Sequence, residues 1–263
     1  MKIRVLGCHG SDLLVEKAEG FHACRSIGIL INDVLMIDAG TVASALTIEE
    51  QQHVQCVLLS HFHLDHLKEL PSLADNLLCQ QGIVPLVVAS IEEVLNGARM
   101  HIFNEKIFPD FFCLPSKERP TLQHCVLQPE QETWIAGVGI TPVSVNHVVP
   151  TVGFIIRDQH SAFVFSGDTY QTDVIWSMAT KVSNLRAAFI ETSFPNQMRD
   201  LAKMSKHLTP ELLLQEFKKL GNWELPLYVY HLKPGLRDGI VSQLQQMGLP
   251  NLMILEEGME IHL

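Results

Sequence analysis

The sequence predicts an α/β fold in which two β-sheets pack face to face with helices outside, an αββα sandwich. Three observations predict it. Apolar runs of strand length recur through both halves, separated by turn residues. Segments of helical spacing close each half, so each sheet has helices to cover it. With 263 residues, 47% hydrophobic and 18% charged, the chain can build one substantial core, and 1–263 reads as one domain.

The elements follow in order. Residues 1–7 are a short strand-like start. Residues 28–31 and 34–38 flank Asn32-Asp33 and read as a hairpin. Residues 56–59 form a buried strand that runs straight into a cluster of histidines. Helical spacing marks 67–78 and 91–103, with a strand at 85–89 between them. The second half adds strands at 124–127, 140–145, 153–157, 162–166 and 187–191. Thr209-Pro210-Glu211 opens a helix, with Thr as N-cap, Pro first and an acid in the first turn; Gly221 ends it. Residues 227–230 and 252–255 read as the last central strands, joined by a helix at 236–247.

The formal net charge of −10 argues against a partner as long and anionic as nucleic acid, which needs clustered Lys and Arg. It leaves room for a small anion bound at a cationic centre. The six cysteines (Cys8, Cys24, Cys56, Cys79, Cys113, Cys125) contain no C-x-x-C pair, so neither a disulfide framework nor a structural zinc knuckle is expected. They read as reduced, mostly buried thiols of a cytoplasmic protein. The N-terminal residues lack the apolar stretch of a secretory signal, and no apolar run reaches membrane-spanning length.

The chemistry is carried by His61-Phe62-His63-Leu64-Asp65-His66, placed at the end of a buried strand. His61 and His63, two apart in extended chain, face the same side; Asp65 and His66 can serve a second position. Imidazole with carboxylate suits zinc and similar divalent metals. Three further donors also follow strands: His147, Asp168 after Gly167, and His231. Gly167 allows the tight turn that aims a carboxylate off a strand tip.

That order of ligands resembles the metallo-β-lactamase superfamily. Within it, the chain looks like the class II 3′,5′-cyclic-nucleotide phosphodiesterases, on the stretches 6–10, 35–41, 60–66, 101–111, Glu191-Thr192-Ser193-Phe194-Pro195-Asn196, His207-Leu208-Thr209-Pro210 and His231-Leu232-Lys233-Pro234. One departure stands out. The family usually follows its histidine cluster with a small residue, where this chain has Lys68-Glu69-Leu70-Pro71, so the pocket rim beside Asp65 differs.

The resemblance implies one metal on His61, His63 and His147, a second on Asp65, His66 and His231, and Asp168 bridging both. Zinc is the first expectation, with iron or manganese acceptable to the same donors. It further implies hydrolysis of cAMP or cGMP to the 5′-monophosphate by a hydroxide shared between the metals. His207, oriented by Glu191, is the expected proton donor to the leaving 3′-oxygen, and Asp65 belongs with them in the catalytic set. The small cyclic nucleotide is the expected partner, without membrane or long nucleic acid, and the chain is expected to form a homodimer.

His22, His53, His124, His160 and His262 show no pattern and read as surface or packing residues. His9 lies in a glycine-flanked turn toward the metal face, and His101 reads as packed on its helix. Phe103, Phe108, Phe111 and Phe112 read either as core or as a stacking wall for a nucleobase. The competing functions are a tRNA 3′-processing endoribonuclease, a thioester or lactone hydrolase, and a non-catalytic metal-binding protein.

Overall fold

A computed structural model describes residues 1–17, 20–80 and 84–263. Its first half holds β1 (Lys2–Gly7), β2 (Leu13–Lys17), β3 (Gly20–Cys24), β4 (Gly28–Ile31), β5 (Leu35–Ile37), β6 (Cys56–Leu58), β7 (Leu86–Ser90), β8 (Pro115–Ser116), β9 (Arg119–Pro120) and β10 (Leu122–Val126). The second half holds β11 (Thr133–Ile135), β12 (Val138–Ser144), β13 (Val152–Arg157), β14 (Ala162–Phe165), β15 (Leu185–Glu191), β16 (Leu227–Tyr230), β17 (Leu252–Ile254) and β18 (Glu260–His262). The helices are α1 (Ile48–His53), α2 (Leu64–Leu67), α3 (Leu70–Leu78), α4 (Glu92–His101), α5 (Val174–Ala179), α6 (Arg199–Ser205), α7 (Pro210–Lys218) and α8 (Arg237–Gln246).

Two seven-stranded sheets result, in the orders β10-β7-β6-β5-β4-β1-β18 and β11-β12-β13-β14-β15-β16-β17. Side-chain alternation explains why they stack. On β13, Val152, Phe154 and Ile156 join the main core while Ile155 joins a second cluster. On β15, Ala187 and Phe189 turn to the main core, whereas Ala188 and Ile190 turn away. The main core, which also takes Ile29, Ile37, Leu58 and Val88, therefore fills the space between the sheets. The second cluster lies under α5, α7 and α8 through Trp176, Leu213, Phe217 and Leu244. Both faces of the second sheet are buried, which is why its strands read as continuous apolar runs.

The 28–31/34–38 hairpin is present, with Asn32 and Asp33 at φ 50° and 59° as a primed turn requires. The helical stretch expected at 67–78 is broken into α2 and α3, because Lys68 closes one turn and Glu69 begins the next. Glu69 instead receives the backbone N–H groups of Val42 and Ser44 at 2.6 and 3.0 Å. Thr209 has the extended backbone of an N-cap but its hydroxyl makes no hydrogen bond, so it starts α7 by conformation and not by capping. The strand expected at 252–255 is an edge strand, not a central one. Only three of the six cysteines (Cys8, Cys24, Cys56) are buried; Cys79 is exposed. Among the described residues no disulfide forms, and no helix is long and apolar enough to cross a membrane.

One close approach holds the first sheet against the histidine loop. The backbone at Gly40 passes so near that a Cβ there would lie 1.9 Å from the Asp65 carbonyl oxygen and 2.7 Å from that of Ile27. Neither backbone atom can swing aside. Gly40→Ala should therefore destabilise the fold by about 1–3 kcal/mol in urea denaturation and lower the metal content of the purified chain.

Candidate metal centre

The site is assembled where strands end. β12, β13 and β14 alternate in direction, and β14, β15 and β16 are parallel, so β12, β14, β15 and β16 all finish at one edge of the second sheet. His147 lies three residues past β12, Asp168 three past β14, Glu191 ends β15 and His231 directly follows β16. From the first sheet, β6 ends at Leu58 and delivers His61, His63, Asp65 and His66 to the same place. The sheets are tied there by the Val152 N–H donating to the Ser60 carbonyl at 2.9 Å. Gly167 at φ +62° makes the turn that carries Asp168 off its strand.

The structure brings all seven sequence-predicted ligands together. His61 Nε2 is 3.0 Å from His63 Nδ1, which is 3.4 Å from His147 Nε2. His66 Nε2 is 3.2 Å from His231 Nε2, and Asp65 Oδ2 is 3.9 and 3.4 Å from those two nitrogens. Asp168 Oδ2 sits between, at 3.7, 3.2 and 3.3 Å from His61, His66 and His231 Nε2. Bonds of about 2.0–2.2 Å to a common cation would place donors at roughly these separations. His63 and Asp65 are partly exposed; His61, His66, Asp168 and His231 are fully buried.

The other ring nitrogens settle the tautomers. His66 Nδ1 donates to Asp38 Oδ2 at 2.7 Å and His147 Nδ1 to the Lys206 carbonyl at 3.1 Å, and neither acceptor can donate. The Ser60 hydroxyl donates to Asp38 at 2.8 Å, so it accepts from His61 Nδ1 at 3.0 Å. The Ser193 hydroxyl donates to Glu191 Oε2 at 3.1 Å, so it accepts from His231 Nδ1 at 2.8 Å. With all four rings neutral, four Nε2 lone pairs thus converge on each other and on a carboxylate. Asp168 Oδ1 is buried as well and has no hydrogen-bond partner. A buried acceptor without a donor costs about 1–3 kcal/mol or more, and electron-rich atoms facing one another repel. A divalent cation removes both penalties, so the residues fit a metal pair.

Electrostatics agree. Burial pushes the His61, His63 and His147 imidazoles down, His147 to about 4, which keeps them unprotonated as ligands must be. Burial also opposes charge on His66, but Asp168 and Asp38 outweigh it and raise that imidazole well above its usual value. Without a metal, a proton on His66 offsets the carboxylates. Burial would raise Asp168 and Asp65, yet the surrounding histidines hold both below the ordinary carboxylate range.

His207 stands beside this set, its Nδ1 2.8 Å from Glu191 Oε1 and 4.0 Å from Asp168 Oδ2. Glu191 is fully buried and also receives the Thr169 N–H at 3.1 Å. Burial disfavours the imidazolium, but the Glu191 charge and hydrogen bond prevail and raise the His207 pKa. With Nδ1 committed to Glu191, Nε2 is left to face solvent or substrate.

Sequence reasoning missed the supports: Asp38, Ser60, Ser193 and the Lys206 carbonyl. Asp38 was legible in principle, as a polar residue ending a buried strand; it adopts φ 58° and is fully buried. The phenylalanines belong to the core, since Phe103 and Phe111 are buried and Phe108 and Phe112 pack on them. They form no free stacking wall. His101, expected to be packed, is exposed on α4, 6.1 Å from the Phe62 ring. Room for a ligand exists elsewhere, in a cavity of about 400 Å³ bordered by Ile91, Glu93, Val145, His147 and Thr151.

Comparison with known proteins agrees with this architecture. The family described as Beta-lactamase superfamily domain matches residues 29–231. A probable 3′,5′-cyclic-nucleotide phosphodiesterase of Yersinia pestis is 27% identical over 241 residues, covering 79% of this chain and 68% of that protein. A 3′,5′-cyclic-nucleotide phosphodiesterase of Aliivibrio fischeri is 26% identical over 256 residues, covering 79% and 74%. The crystal structure of unliganded yeast PDE1 superposes with a TM-score of 0.83 at 17% identity, covering 100% of this chain and 99% of that one, and shares the fold.

Two outcomes follow from the ligand chemistry. Asp38→Asn keeps a residue that tolerates positive φ but removes the charge behind His66; zinc affinity by chelator competition should fall about 10- to 100-fold. Zinc must also expel the proton held by His66, so binding at neutral pH should release acid into a weakly buffered solution, and affinity should rise with pH. The metal-free chain has the opposite sign. A raised His66 pKa stabilises it below the ordinary imidazole value of about 6.5, and that contribution fades as pH climbs through the raised value.

Proposed function

The chain belongs to the β-lactamase superfamily domain family, and on that premise we propose that it is a 3′,5′-cyclic-nucleotide phosphodiesterase acting through a two-metal centre. The observation that carries the reading is the buried Glu191–His207 pair, 2.8 Å apart, set against the seven converging ligands. Phosphodiester hydrolysis needs both an electrophilic centre and a proton for the leaving alkoxide, and these two groups of residues supply one each. The curated relatives named for this activity point the same way.

His61, His63 and His147 would hold one cation, Asp65, His66 and His231 the other, with Asp168 reaching both. Zinc suits the nitrogen-rich donor set best. When bound, the cations supply positive charge for the phosphoryl oxygens and an acidified water. The chain's own part is orientation and proton delivery. Asp38, Ser60, Ser193 and the Lys206 carbonyl lock His66, His61, His231 and His147 each in one tautomer. Glu191 fixes the His207 ring and favours its protonated form, and His207 passes the Nε2 proton to the leaving 3′-oxygen. Such general acid help contributes about 10²–10⁴ in rate.

The net charge of −10 supports a small substrate over a tRNA precursor, whose phosphates call for a basic surface. A cytoplasmic protein, folded as one domain and paired as a homodimer, completes the proposal.

Purified, metal-loaded chain should convert 3′,5′-cAMP or cGMP to the 5′-monophosphate and leave a tRNA precursor uncut; cleavage of the tRNA instead would select the endoribonuclease reading. His207→Ala should retain its metal and lose about 10²–10⁴ in kcat. His63→Ala should lose metal and activity together. Unchanged cyclic-nucleotide turnover in His207→Ala would overturn the proton-donor role.

A further inference from the structure

Behind the His231 loop lies a second cluster of metal-binding chemistry that the proposed reaction does not use. Cys8 and His9 follow β1, Glu257 comes from the turn between β17 and β18, and His22 projects from β3. Cys8 Sγ is 3.7 Å from His9 Nδ1, and His9 Nδ1 is 2.9 Å from Glu257 Oε1. These three donor atoms all fall within 4.8 Å of one another. His22 Nε2 is 3.4 Å from Glu257 Oε2. His9, His22 and Glu257 line a cavity of about 200 Å³, into which an ion can enter from solvent.

From this arrangement we propose a third metal site, built from Cys8, His9 and Glu257 with His22 as the fourth donor in reach, that takes a zinc-like divalent cation. The donor set decides the class of ion. One thiolate, two imidazoles and one carboxylate suit zinc or cobalt and disfavour magnesium and calcium, which require oxygen. The spacing fits too. Zn–S of about 2.3 Å and Zn–N of about 2.0 Å at a tetrahedral angle put sulfur and nitrogen roughly 3.5 Å apart. The observed 3.7 Å is close to that edge. Cys8 and His9 are both buried, so side-chain ordering is already in place before an ion arrives.

Without a cation the Cys8 thiol donates to the Leu255 carbonyl at 3.3 Å and His9 Nδ1 donates to Glu257. On binding, the thiol proton leaves to solvent and the His9 proton shifts from Nδ1 to Nε2, freeing Nδ1 as ligand. Arg237, a cation of the cavity wall, is engaged by Glu256 at 3.1 Å. The consequence reaches the catalytic edge. His231 N–H donates to the Cys8 carbonyl at 2.7 Å, and Gly10 N–H to that of Leu232 at 3.2 Å. An ion on Cys8 and His9 would clamp β1, β3 and the C-terminal turn against the loop that presents His231.

Cobalt distinguishes this site from the binuclear set, which contains no sulfur. Chelator-stripped full-length chain reconstituted with cobalt(II) should show a near-ultraviolet sulfur-to-cobalt charge-transfer band, in addition to the d–d bands of nitrogen and oxygen sites. Elemental analysis should find one ion per chain more in the wild type than in Cys8→Ser. Cys8→Ser and, independently, Glu257→Gln should abolish or strongly weaken the band while the d–d bands of the binuclear set remain. Absence of the band in the wild type overturns the proposal. So does a band that survives Cys8→Ser, because it belongs to another thiol. The readout is independent of cyclic-nucleotide turnover, so failure here leaves the phosphodiesterase reading standing, and the reverse.

Discussion

The structure depends on how one buried carboxylate is balanced. Asp168 is fully buried, with one oxygen ringed by imidazole nitrogens and the other without a hydrogen-bond partner. A charge so placed is unstable unless opposite charge meets it, by protons on His66 or by a cation. Every element that reaches this point is therefore under constraint. The parallel run of β14, β15 and β16 brings three strand ends to one edge, and the Ser60–Val152 backbone bond holds the first sheet's loop against them.

Hydroxyl groups distribute that constraint. Ser60 donates a hydrogen bond to Asp38 while accepting from His61, so two ligands from one loop are oriented by one serine–aspartate unit. Ser193 does the same across a different boundary, accepting from His231 and donating to Glu191. Glu191 in turn holds His207. A metal ligand and the proposed proton donor thus share one short hydrogen-bonded chain, which resists independent rotation of either ring. The strained Asp38 backbone at φ 58° is held by three side-chain hydrogen bonds, its own N–H donating to the Leu58 carbonyl, and full burial.

Much of the fold was legible because its signals are local and periodic. The Asn32-Asp33 hairpin, β6 before the histidines, α4 and the strands β12 to β17 of the second sheet lie where apolar runs and helical spacing put them, within a few residues. Short or exposed elements were not. The hairpin of β2 and β3 keeps Leu14 and Phe21 exposed, so its pattern carries no buried face to detect. Helix α1 is only six residues long, although Thr47 and Glu50 form the reciprocal cap that a T-x-x-E spelling announces. Thr209 was misleading in the opposite direction: cap chemistry in the sequence, no capping bond in the fold.

The sequence by itself determined the donor inventory of the principal site, because His61, His63, Asp65 and His66 are packed into six residues and the remaining donors sit at strand ends. It also determined the sandwich, through apolar runs of strand length that require covering on both sides of a sheet. Only the tertiary structure decided which nitrogen of His66, His231 and His147 is free, since that depends on Asp38, Ser193 and Lys206, which lie 28, 38 and 59 residues from the rings they orient. It alone sent the phenylalanines to the core, and it alone joined Cys8 and His9 to Glu257 across a separation of 248 residues from His9. The physical reason is the same throughout. Periodicity and motif spacing report a residue's relation to its own strand or helix, whereas hydrogen-bond direction and long-range ligand sets exist only once distant segments share one volume.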